Sequence, residues 1–185
     1  KDLFAIVEVL DSSAALRRAL TDPSRTSADK SALVRGLLGS KFSAAAGELV
    51  AKLAEMRWSG PSDLADVLEQ LAIEAEASAA NVAGELDRLE DELFALSRIV
   101  ASNGELRQSL SSQQFPISAR QELVASLSKG KVSAATSRML AHIVAGLRGR
   151  NIESTMSYYQ SAIAARRERV IAHIRTAVSI SDAQR

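Results

Sequence analysis

LVRGLLGSKFSAA at residues 33–45 and LVASLSKGKVSAA at residues 123–135 are two renderings of one motif, ninety places apart. The match extends outward without a gap. Leu3-Phe4-Ala5 meets Leu93-Phe94-Ala95, Leu16-Arg17 meets Leu106-Arg107, Leu20 meets Leu110, and Ala51 meets Ala141, giving about 15 identities in some 52 aligned positions. Self-similarity at a fixed period marks a repeated supersecondary unit. The period predicts a duplicated bundle.

Each copy carries the same punctuation: a helix, a turn at Asp11 to Ser13 or Ala101 to Gly104, and a short helix ending at Leu20 or Leu110. A loop with Pro23 or Pro116 follows, then a helix from near Ala28 or Ser118, and a Gly-Lys turn at Gly39 to Lys41 or Gly130-Lys131. The next helix opens at Ser43 or Ser133, where a side-chain oxygen can accept from an unpaired first-turn amide, so both copies are expected to cap alike. Leu49, Val50, Leu53 and Met56 recur at helical steps in the first copy; Met139, Leu140, Ile143, Val144 and Leu147 do so in the second. One face of each is expected to be core.

Between Ser62 and Ser102 there is no proline and only Gly84, which predicts helices from Ser62 to about Ala80 and from about Val82 to Ser102. The last helix of copy one then runs into, or serves as, the first helix of copy two. A final helix near Ile152 to Ala172 leads into Val178-Ser179-Ile180, which alternates like the start of a strand. The expected fold is all-α: a partial first bundle over 1–61, a complete six-helix bundle over 62–175, and the start of a further domain over 176–185.

Composition agrees. The chain is 46% hydrophobic but only 4% aromatic, with few Gly and Pro, a mix that favours helix. With no cysteine, disulfides and thiolate chemistry are excluded; His142 and His173 have no zinc-site spacing. A net charge of +1 hides no block of one sign, and no apolar run approaches the roughly 18 residues that span a bilayer. The first ten residues lack a signal-peptide cleavage pattern, and a chain opening on Lys1-Asp2 in mid-helix reads as part of something longer.

Candidate chemistry is sparse. Gly39-Ser40-Lys41-Phe42-Ser43 and Gly130-Lys131-Val132-Ser133 superficially evoke phosphate loops, but neither has Lys followed directly by Ser or Thr, and both occupy the same helix-helix turn. Glu85, Asp87, Glu90, Asp91 and Glu92, interleaved with Arg88 and Arg98, read as a solvated helix face. The run Arg166-Arg167-Glu168-Arg169 lacks aromatic residues for base stacking; nucleic-acid binding there is the weaker alternative. Trp58, before Gly60-Pro61, either plugs a bundle end or anchors a partner, and Tyr158-Tyr159 should place one ring in the core and one at the surface. No nucleophile, acid or base has a recognisable partner, so no enzyme is expected.

From Ser62 onward the chain resembles the ATP synthase delta subunit (oligomycin-sensitivity-conferring protein) family. The segments that carry the likeness are Leu68-Glu69-Gln70-Leu71-Ala72, Leu86 to Leu96, Asn103-Gly104-Glu105-Leu106-Arg107 and Gly149-Arg150-Asn151-Ile152-Glu153. The strongest is Ala164-Ala165-Arg166-Arg167-Glu168-Arg169-Val170, followed by Ile174 to Ser179 and Asp182 to Arg185. Copy one departs from a family with a single such bundle, and looks like the delta region of mycobacterial-type fused b-delta subunits; the family's C-terminal α/β domain is missing from these residues.

The resemblance implies a stator: a peripheral-stalk component linking the α subunits of the catalytic head to the b stalk, so that the head does not co-rotate. It implies no cofactor or metal, and a place at the cytoplasmic face of the bacterial plasma membrane, with membrane contact only through the stalk or an upstream fused helix. Family experience puts the groove for the α N-terminal helices between the first and fifth helices. Here that implies Leu68, Leu71, Ala72 and Ala75 with Ala135, Met139, His142 and Ile143, and an equivalent surface in copy one from Ala45, Leu49, Lys52 and Leu53. A helical scaffold for some other amphipathic partner helix remains the alternative.

Overall fold

The computed structural model describes residues 2–39 and 41–168, with side chains as far as 165. Ten α-helices account for the regular structure of the described residues, and no strand occurs among them. They are α1 (Asp2–Ser12), α2 (Ala14–Thr21), α3 (Ser27–Leu38), α4 (Ala44–Glu55), α5 (Asp63–Val82), α6 (Leu86–Ser102), α7 (Gly104–Ser111), α8 (Ile117–Ser128), α9 (Ala134–Ala145) and α10 (Ile152–Glu168). Adding ninety to the bounds of α2, α3 and α4 gives those of α7, α8 and α9. The strand expected at Val178-Ser179-Ile180, the segment 176–185 and the side chains of the Arg166 to Arg169 run lie outside what is described.

The repeat extends to individual hydrogen bonds. The Leu16 amide donates to Ser13 Oγ at 3.2 Å and the Leu106 amide to Asn103 Oδ1 at 3.0 Å, so α2 and α7 are capped at the same place. Arg17 Nη1 donates to the Leu10 and Asp11 carbonyls, and Arg107 Nη1 to that of Ala101, closing the same helix end. The Ser43 amide donates to Asp2 Oδ2 at 2.9 Å and the Ser133 amide to Glu92 Oε2 at 2.8 Å, again ninety residues apart.

Capping differs from expectation in one respect. Ser133 Oγ accepts from the Thr136 amide, whereas Ser43 makes no side-chain cap, and the start of α4 is held by the Asp2 carboxylate instead. Glu92, read as part of a solvated face, is a cap as well: its Oε2 also accepts from Thr136 Oγ1 at 2.6 Å.

Two apolar cores result, and α5 belongs to both. Leu64, Ala65 and Leu68 join Ile6, Leu10, Val34 and Val50 in the first; Ala72, Ile73, Ala77 and Ala80 join Leu89, Met139, Ile143 and Tyr159 in the second. At 20 residues, roughly 30 Å, α5 is long enough to reach across both. It serves as the first helix of the second bundle and, lying where α10 lies in the repeat, as the last of the first. It ends at Gly84, whose φ of 71° permits the left-handed turn in which the Glu85 amide donates back to the Ala80 carbonyl at 2.8 Å.

Trp58 packs against the first core at the bundle end, and its Nε1 donates to the Leu53 carbonyl at 2.9 Å, which is the plugging role. Of the tyrosine pair, Tyr159 is fully buried and Tyr158 half-buried, as their angular separation requires.

Candidate functional site

Fifth helices in the two copies meet different surroundings. On α9, Ala135, Met139, His142 and Ile143 are all buried, covered by α5, α6, α10 and the edge of α1. At the matching positions of α4, Ala45 and Lys52 are exposed and Leu49 and Leu53 half-buried. The α5 side is likewise uneven: Ala72 is buried beside α9, Leu71 is half-buried, Ala75 is exposed, and Leu68 lies in the first core. Of the eight residues named for the second-copy groove, Ala72, Ala135, Met139, His142 and Ile143 are therefore buried in the second bundle and Leu68 in the first. Leu71 and Ala75 are the groove's accessible members, and the Arg138–Glu76 ion pair, with both Glu76 oxygens 3.0 Å from Arg138 Nε, closes its rim. Burial on its own would raise the Glu76 pKa, and the bonds from Arg138 act against it.

A second apolar surface lies on the opposite side of α9. Leu96, Ile99, Leu127, Leu140, Ile143 and Met156 line an open groove of about 330 Å³, and of the residues named for the α-binding groove only Ile143 reaches it. In the first copy the large ring of Phe42 packs against the core at the position of Val132, a wall of this groove. The swap of Phe for Val is legible in the repeat, although its consequence needs the packing.

Sequence reasoning assigned no role to the seam between the bundles, where Glu69 and Arg148 are buried. Phe4 of α1 inserts beside the His142 ring, centroids 4.3 Å apart, and stacks at 6.4 Å on Tyr159. Around it, Arg148 reaches Asp66 at 2.6 Å and Asp11 at 3.0 Å, and Arg150 Nη2 donates to both Glu69 oxygens at 2.7 and 2.8 Å. The Tyr159 hydroxyl donates to Glu69 Oε1 at 3.3 Å, and the Arg150 guanidinium lies 4.7 Å over the Tyr158 ring. Burial pushes the Asp11 carboxyl above its usual value despite Arg148 and Arg17; burial and then Glu69 push the Tyr159 phenol well up. The signal that could have found these residues is charge that breaks the repeat: Arg148 and Arg150 stand where copy one has Trp58 and Gly60.

Among the described residues no group of three His, Asp or Glu side chains could hold a metal, and no helix is long and apolar enough to cross a membrane. Duplicated helical bundles with apolar faces and a charged seam define the class: a tandem all-helical bundle protein.

Comparison with known proteins makes the class specific. Residues 74–185 match the family model described as ATP synthase delta (OSCP) subunit, more than half of the chain. Over 184 residues the chain is 40% identical to the ATP synthase subunit delta of Beutenbergia cavernae, covering all of this chain and 68% of that one. It is 42% identical over 185 residues to that of Kineococcus radiotolerans and 40% identical over 184 to that of Streptomyces coelicolor, in each case covering 67% of the relative. The chain belongs to the ATP synthase delta (OSCP) subunit family, a structural and non-catalytic component of the peripheral stalk. These alignments run through the first copy as well, so the relatives carry a counterpart of its sequence.

Proposed function

We propose that this chain ties the α subunits of the catalytic head to the b stalk, so that the head is held against the torque of the rotor, at the cytoplasmic face of the bacterial plasma membrane. Family membership, with about 40% identity along the whole chain, is the observation that carries the reading. Physical support comes from the apolar faces, since an amphipathic N-terminal helix of α can bury its apolar stripe only against such a surface. Two faces suit that role: the α5–α9 seam entered at Leu71 and Ala75, and the α4 face formed by Ala45, Leu49, Lys52 and Leu53, half of it open. The division into a partial bundle over 1–61, a bundle over 62–175 and a further domain from 176 belongs to the same proposal, with α5 common to both bundles.

Titrating the protein with synthetic α N-terminal peptide, by calorimetry, tests it. Binding is expected to weaken at least tenfold in Ala75→Asp or Leu49→Asp, both accessible positions where a carboxylate leaves the fold intact. Absence of binding to the wild type would sink the α-tethering role; unchanged affinity in both variants would remove these two faces.

A further inference from the structure

We propose that the cavity between the start of α8, the end of α7 and the α9–α10 turn binds a small phosphate-type oxyanion. The observation that carries this is Arg120, in the first turn of α8 and only 8% exposed. Its Nε is buried without a hydrogen-bond partner, and it enters no ion pair among the described residues. A buried N–H without an acceptor is a costly arrangement, and an anion seated against that face of the guanidinium is the ligand that relieves it.

Arg120 lines a cavity of about 560 Å³ whose other walls include Ser111, Gln113, Arg150 and Asn151. Those walls supply hydroxyl and amide donors. Arg148 and Arg150, also on the wall, are neutralised by Asp11, Asp66 and Glu69 on α1 and α5, although the Nε of each also lacks a hydrogen-bond partner, so among the described residues Arg120 is the wall cation without a counter-charge. Asn151 precedes the 17-residue α10, whose N-terminal dipole adds to the same sign. A planar guanidinium fork suits a tetrahedral oxyanion, which can accept from it and from several wall donors together.

The repeat provides an internal control. Ninety residues earlier stands Lys30, also buried, and its Nζ donates to the Met56 carbonyl at 3.2 Å. Copy one thus satisfies its cation internally, while copy two turns a longer one toward a cavity.

The full chain titrated with inorganic phosphate, at ionic strength held constant with chloride, reads the proposal by calorimetry and thermal unfolding. Saturable binding is expected, with the unfolding midpoint raised by roughly 3–6 °C at phosphate about tenfold above Kd. Arg120→Lys, which copies the arrangement at Lys30, should keep the fold and lose the response. Gln113→Glu, at an exposed wall position, should abolish binding by repulsion, and serves if Arg120→Lys does not fold. A parallel titration with ATP distinguishes sources: a response to ATP alone means phosphate carried on a nucleotide, and a response to inorganic phosphate means the free ion. No saturable response to either, or one that both variants leave unchanged, overturns the site.

Discussion

The two bundles share helix bounds, caps and turn positions, yet the fifth helix of one is walled in and that of the other lies half open. Met139 is fully buried, whereas Leu49, its counterpart, is half-exposed. The cause is neighbours more than local sequence: α9 has α5 laid along it, and no described helix stands in that place beside α4. A face with one chemical character can be core or docking surface according to what the chain puts next to it. The α5 and α10 pair repeats the lesson, since Glu69 and Tyr159, ninety residues apart, face each other across the seam that only the doubled chain creates.

Breaking that seam should give the largest effect. Glu69 is 1% exposed and answers to Arg148, Arg150 and Tyr159, so Glu69→Ala leaves Arg150 without its carboxylate and the buried Tyr159 hydroxyl without its acceptor. A loss of about 3–5 kcal/mol is expected in urea unfolding; a loss under about 1 kcal/mol would mean the seam charges contribute little to folding.

The burial contrast itself comes next. Met139→Ala should cost about 2–5 kcal/mol, as for large-to-small changes in a closed core, and Leu49→Ala about 1 kcal/mol or less. Equal losses in denaturant unfolding would erase the distinction between the two fifth helices.

The caps give the smallest effect. Burial would raise the Glu92 pKa, but bonds from Thr136, the Ser133 amide and Arg88 hold it below the ordinary 4.5. A depressed carboxylate contributes stability that is present above the unfolded value and lost as pH falls through the folded one. Glu92→Gln should therefore cost about 1–2 kcal/mol at neutral pH and remove part of the wild-type loss below pH 4.5. Asp2→Asn, at the counterpart position, should cost about 0.5 kcal/mol. Stability curves against pH that superimpose for wild type and Glu92→Gln would discount the cap.

Much of this was readable before any coordinates. The ninety-residue offset located every helix of the repeat, because turn glycines, caps and apolar spacing are local signals that duplication preserves. Whether the last helix of copy one merely ran into the next bundle or served in it was left open by the sequence, since periodicity reports that a helix has an apolar face without naming its neighbour. For the same reason the spacing that puts Met139 and His142 on one apolar face does not say that both are buried within this chain. Leu68 illustrates a further limit: it lies four residues before Ala72, one helical turn away, yet the two fall in different cores because α5 changes neighbours between them.

A helix common to two bundles also decides how force travels. Tension entering one bundle need not cross a packed interface that could slide; it passes along the covalent backbone of α5 and its ladder of hydrogen bonds into the other. Neither half can swing about a loop, because the joint is a rod embedded at both ends. For a component of a peripheral stalk, that converts two small globules into a single stiff lever arm.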